Sequence, residues 1–98
     1  MHVAVCRITL RLAENHSLKG KRRVVQSAVQ RVRQRFNVSI AEIAEHDRWQ
    51  TAVLGVVCVN SDAVHLEQTV ARVVRLVEDI SRGDAELVDV ETEIMQAL

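Results

Sequence analysis

An α+β sandwich, with four antiparallel strands and two helices on one face, is the fold class this 98-residue chain predicts. Three observations carry that prediction. Short runs at both ends and twice near the middle are apolar in the alternating or β-branched manner of strands. Two longer segments repeat apolar residues every three to four positions, the period of amphipathic helices. Read in order, the periods spell β-α-β-β-α-β, the split βαβ arrangement of a ferredoxin-like domain.

Residues 3–12 alternate, with Cys6, Ile8, Leu10 and Leu12 on one face and Val5, Arg7, Thr9 and Arg11 on the other. That is a strand with one buried face. Ser17 then offers an N-cap. Leu18, Val25, Ala28, Val29, Val32 and Phe36 recur at helical spacing through residue 36, and Asn37 can end the helix. Residues 38–44 and 51–59 are short and rich in Val and Ile, and the polar stretch Glu45–Gln50 between them marks an antiparallel pair. A second helix begins near Ser61-Asp62, with Leu66, Val70, Val73, Val74, Val77 and Ile80 on one stripe and Gly83 just past its end. The last strand, about 86–94, is expected to turn Val88, Val90 and Ile94 inward and Asp89, Glu91 and Glu93 outward. Right-handed crossovers place both helices on one sheet face.

Residues 1–98 form one domain on this reading, since there is no proline, only three glycines and no low-complexity linker. No run approaches the ~18 apolar residues that span a bilayer and no secretory leader is visible, so a cytoplasmic location and no membrane partner are expected. Cys6 and Cys58 stand alone inside apolar runs, as buried reduced thiols do. The formal charge is zero, but it is split. Residues 1–36 hold nine Lys/Arg against the single acid Glu14, and residues 37–98 hold four against twelve acids. Such asymmetry prompts a search for a polyanionic partner. Part of it is expected to be internal, because pairing the last strand with the first sets Arg7 and Arg11 near Asp89, Glu91 and Glu93.

The first helix has no such compensation. Between Ser17 and Arg35 lie seven cations and no acid. Arg31 and Arg35 are read as last-turn charges, which complement the helix dipole. Lys19, Lys21, Arg22 and Arg23 sit at the opposite, unfavourable end, and with Arg33, Gln26 and Gln30 they make a polar flank without a carboxylate. The bland reading is a solvated turn; the functional one is phosphate binding by cations and free backbone N–H groups. A nucleotide-hydrolase phosphate loop is excluded because Gly20-Lys21 lacks the upstream glycine spacing. A base-stacking sheet is excluded too, since the only aromatics are Phe36, on the helix stripe, and Trp49. Any RNA would therefore lie along the helix edge.

Glu42, Glu45, His46 and Asp47 cluster before Trp49 but lack ligand spacing, and read as an ordinary polar loop. Trp49 either packs over the core edge or anchors a partner. His2, His16 and His65 are isolated, and no nucleophile–base or paired-carboxylate arrangement is visible. The chain is expected not to be an enzyme and to need neither cofactor nor metal.

Ser17–Arg23, then Phe36–Glu42, then Asp47–Gln50 with Leu54-Gly55-Val56, and finally Glu86–Glu91 resemble the bacterial YlxP-like family, domain of unknown function 503, nearly end to end. The resemblance implies a ferredoxin-like fold and a small cytoplasmic protein often encoded beside translation-initiation and ribosome-maturation factors. It implies no established activity. Gly20 departs from the charged residue that the pattern leads one to expect, which predicts a looser first turn. The expected function is that of a non-enzymatic accessory protein associated with RNA or a ribosomal particle through Lys19, Lys21, Arg22, Arg23 and Arg33. The alternative is a self-associating or protein-interaction module, a homodimer or other complex anchored at Trp49.

Overall fold

Six elements follow one another in the predicted order. In the computed structural model, which describes residues 1–98, they are β1 (His2–Arg11), α1 (Leu18–Arg35), β2 (Ser39–Ala44), β3 (Thr51–Asn60), α2 (Ala63–Ser81) and β4 (Glu86–Gln96). The four strands form one antiparallel sheet in the order β2-β3-β1-β4. Both helices lie on one face, as a ferredoxin-like α+β fold requires.

The alternation in β1 is what builds the core. Ala4, Cys6, Ile8, Leu10 and Leu12 are buried beneath Val25, Ala28 and Val32 of α1 and Leu66, Val70, Val73 and Val77 of α2. Each fully buried Leu or Ile contributes about 1.5–3 kcal/mol. Ser17 caps α1 by accepting the Gly20 N–H, and Asp62 caps α2 by accepting from Val64 and His65. Gly83, with φ +93°, supplies the left-handed residue that turns the chain after α2. Cys6 and Cys58 are buried free thiols on adjacent strands, and burial, then the neighbouring Cys6, pushes the Cys58 thiol above its ordinary pKa. No helix is long and apolar enough to cross a membrane.

Two strand irregularities depart from the alternation. The β1–β4 register shifts between Thr9 and Leu10, so Leu10 faces Leu87 while Ile8 faces Val90. Leu87 therefore packs against the core and Val88 stays 46% exposed, which corrects the expectation that Val88 turns inward. A bulge inserts one residue and reverses the parity beyond it. A second shift, between Glu42 and Ala44, leaves Ile43 on the open face and puts Glu42 opposite buried Leu54, on the helix side.

The predicted neutralisation across β1 and β4 holds for Arg7, whose guanidinium lies 2.8 Å from Glu91. Arg11 pairs with Glu86 at 2.8 Å, a residue before the three acids the alternation pointed to.

Candidate nucleic-acid interface

The first turn of α1 contains no acid, so its cations meet the positive end of the dipole, at a cost of about 0.3–1 kcal/mol for each exposed one. Lys19 is exposed in that turn, and Arg22 and Arg23 are exposed in the next one. Lys21, two residues from Lys19, is only 1% exposed and cannot touch a ligand. Its Nζ donates to the carbonyls of Glu45 (2.7 Å) and Thr51 (2.9 Å) and lies 2.8 Å from Oε2 of Glu42. The ammonium has three hydrogens, and three oxygens surround it. Lys21 is thus removed from the predicted site. It is an anchor that ties the start of α1 to both ends of the β2–β3 connection. Helical rotation explains the difference: one position around from Gly20, the side chain points to the sheet rather than to solvent.

Gly20 also differs from expectation. A Cβ there would overlap Oδ1 of Asn15 and crowd the Ser17 hydroxyl. The glycine admits Asn15, whose Nδ2 donates to Ser17 O and Trp49 O. The first turn is therefore pinned by a close approach, where the sequence predicted looseness.

The same contacts bring Trp49 to the head of α1. Its indole, 41% exposed, meets the His16 ring edge-on, with centroids 5.9 Å apart. His16 was unmarked in the sequence, because its relation to Trp49 exists only once the β1–α1 loop and the hairpin loop are packed together. A pair of exposed rings now stands at the N-terminal end of α1, the end that carries Lys19, Arg22 and Arg23.

Arg33 lies at the other end of the flank, with Gln26, Gln30, Ala41 and Glu42 along the groove between α1 and β2. Its guanidinium donates to Ile40 O at 2.9 Å. Since α1 ends at Arg35, Arg33 rather than Arg31 shares the favourable last turn. Arg33 is exposed yet partly committed, so its weight in the site falls. Three arginines compensate at this end: Arg35 of α1 and Arg72 and Arg75 of α2 line one depression with Asp79. Arg72 and Arg75 carried no signal in the sequence beyond lying on the polar side of the second helix.

Of the seven α1 cations only Lys21 has a carboxylate within ion-pair distance. The helix layer therefore presents a basic strip about 21 Å long from Lys19 to Arg33, at 1.5 Å per residue. Such a strip can hold a chain of phosphates by charge, and the ring pair at its head can stack an unpaired base.

Fold and surface together define a small ferredoxin-like domain whose helix layer carries unneutralised cations. The family described as "Protein of unknown function (DUF503)" matches residues 3–92, and the chain belongs to it. Uncharacterized protein YlxP of Bacillus subtilis (strain 168) is 40% identical over 62 residues, which make up 63% of this chain and 67% of the relative. Among solved structures, the de novo designed protein Foldit4 is similar with a TM-score of 0.56 at 16% identity over the whole of both chains. SnoaB, a cofactor-independent oxygenase from Streptomyces nogalater, reaches 0.55 at 13% identity, over 99% of this chain and 93% of its own. At those identities the likeness is one of fold alone.

Proposed function

We propose that this protein is a non-enzymatic RNA-binding accessory factor that grips the phosphate backbone along α1 and acts on ribosomal RNA or a ribosomal particle. One observation carries the reading. Lys19, Arg22, Arg23, Arg31 and Arg35 are exposed on one helix with no carboxylate in ion-pair reach. Their charge is available to an external anion, and Lys19 stands in the first turn, where the helix dipole disfavours it. Trp49 and His16 add an aromatic platform at the end where the cations are densest. RNA offers both a polyanionic backbone and unstacked loop bases, and single-stranded loops are what aromatic side chains recognise. The setting beside translation factors that the family resemblance implies narrows the RNA to the ribosome's own.

The test is binding of a labelled ribosomal RNA stem-loop, and of purified ribosomal subunits, across a series of salt concentrations. Affinity is expected to fall linearly in log–log form. Changing Lys19, Arg22 and Arg23 together to Ala should make the slope shallower by roughly two to three, about 0.7–0.9 per lost phosphate contact. Trp49→Ala is expected to weaken stem-loop binding by ~1–3 kcal/mol without changing the slope. An unchanged affinity and slope in the triple variant would defeat the proposal.

A further inference from the structure

The two edges of the sheet differ in how their backbone groups are covered. On β2 the register points the backbone of Ile40 and Glu42 outward, and both carbonyls are occupied. Arg33 donates to Ile40 O, and Nε2 of His46 lies 3.2 Å from Glu42 O. An edge guarded in this way resists pairing with another chain. The β4 edge has no such guard. Met1 and Ala97 exchange both of their backbone hydrogen bonds, at 2.9 and 2.8 Å. The residues of β4 bonded to β1 are therefore Met95, Glu93, Glu91 and Asp89. Val90, Thr92, Ile94 and Gln96 point their N–H and C=O groups away from the sheet, and no hydrogen bond of the chain reaches them.

The two sides of this bare edge also differ in chemistry. On the open face, Glu91 is paired with Arg7, but Asp89 and Glu93 on either side of it have no cation in ion-pair reach. On the helix side, Val90 and Thr92 border a hollow of about 420 Å³ whose other walls are Val70, Ala71, Val74 and Glu67 of α2. A strand laid beside β4 sends its side chains alternately to these two sides. Those on the open face meet carboxylates, and those on the helix side meet a mainly apolar hollow.

We propose that the β4 edge takes an extended segment of a partner protein, in which Lys or Arg alternates with apolar residues, as an added strand of the sheet. Charge decides the occupant. Antiparallel pairing of β4 with a second copy over most of its length sets Glu91 opposite Glu91, Glu93 or Asp89, or sets Glu93 opposite itself. Like charges directly opposite destabilise a sheet. A nucleic acid is repelled by the same acids. Since α1 packs over β2 and α2 over β4, the acidic edge lies across the sheet from the basic strip. This proposal and the RNA reading therefore stand or fall separately.

The test is a nuclear magnetic resonance titration of the isotope-labelled full chain with a blocked peptide of about seven residues, Lys alternating with Val. The amide signals of Val90, Thr92 and Ile94 are expected to shift and gain protection from exchange, saturating below ~1 mM. Asp89→Lys with Glu93→Lys, both exposed and unpaired, should weaken binding about tenfold or more. The same variant should instead accept a peptide with Glu in place of Lys. Ala71→Arg, which fills the hollow from an exposed helix position, should weaken binding too and serves if the double variant does not fold. The peptide's Val positions lie opposite Val90, Thr92 and Ile94. Pro in their place removes the N–H groups that bond β4 while keeping the charge, and should abolish binding. Equal binding of the Pro peptide would mean adsorption by charge alone and overturns the proposal. So do a titration without saturation by ~1 mM, undiminished binding to both variants, or shifts centred away from β4. Shifts at β4 that the protein produces alone at rising concentration would mark a second copy there, and overturn it as well.

Discussion

The two faces of this sandwich treat their cations in opposite ways. On the open sheet face, Arg7 and Arg11 each lie 2.8 Å from a carboxylate. On the helix layer, Lys19, Arg22, Arg23, Arg31 and Arg35 have none. The cause is positional. Antiparallel register sets each β1 residue directly opposite a β4 residue, so an acid-rich last strand neutralises a basic first one. Along its own exposed surface a helix sets side chains beside those three and four positions away, and α1 has no acid to put there. A chain of zero net charge can thus keep one strongly cationic surface. Lys21 sharpens the contrast, because it belongs to the basic helix in sequence and to the neutralised interior in space.

The largest effect expected along this divide is at Lys21. Lys21→Ala removes the ammonium that holds two carbonyls and faces the half-buried Glu42 carboxylate, and should cost about 3–5 kcal/mol in urea unfolding. Lys19→Ala, two residues away, should stay within about 0.5 kcal/mol. Equal small costs at the two positions would erase the distinction between anchor and surface charge. Removing both charges, as in Lys21→Met with Glu42→Leu, should recover much of the loss, since no unpaired ion is left behind.

A smaller effect is expected where the two loops meet the helix start. Gly20→Ala forces Asn15 out of its place between Ser17 O and Trp49 O, at about 1–3 kcal/mol. Adding Asn15→Ala should make the double variant less destabilised than the sum of the singles, a coupling readable in a thermal or urea cycle. Strict additivity would mean that the close approach does not constrain the turn.

The smallest effect belongs to the sheet face. Arg7 and Glu91 have side chains 51% and 61% exposed, and a double-mutant cycle on Arg7→Ala and Glu91→Ala should give a coupling of ~0–1 kcal/mol. A coupling as large as that of the buried pair would show that the open face is screened from water, as it would be inside a tight dimer.

Most of the fold was legible in local pattern. Period two in β1 and period 3.6 in both helices survive in the structure because each element buries one face against the same core, and the caps Ser17 and Asp62 act within their own turns. The misreading of Val88 came from a bulge, since whether a residue is inserted into a ladder depends on the partner strand and not on the strand's own alternation. The site was legible only in part. A cation count located the basic helix but could not separate Lys21 from its neighbours, or show that Arg33 is engaged with β2 and Arg72 and Arg75 with the far end of the strip.

The sequence by itself determined the order and type of the six elements, the acid-free first helix and the family. Those properties depend on residues near one another in the chain, where periodicity, capping and local composition act. Tertiary structure alone decided the fate of individual charges and rings. Lys21 meets oxygens 21, 24 and 30 positions away, and His16 meets Trp49 across two loops. Contacts of that span follow from how the sheet is registered and the helices are docked, and for ionic groups on a small domain that docking settles which ones are neutralised and which remain for a partner.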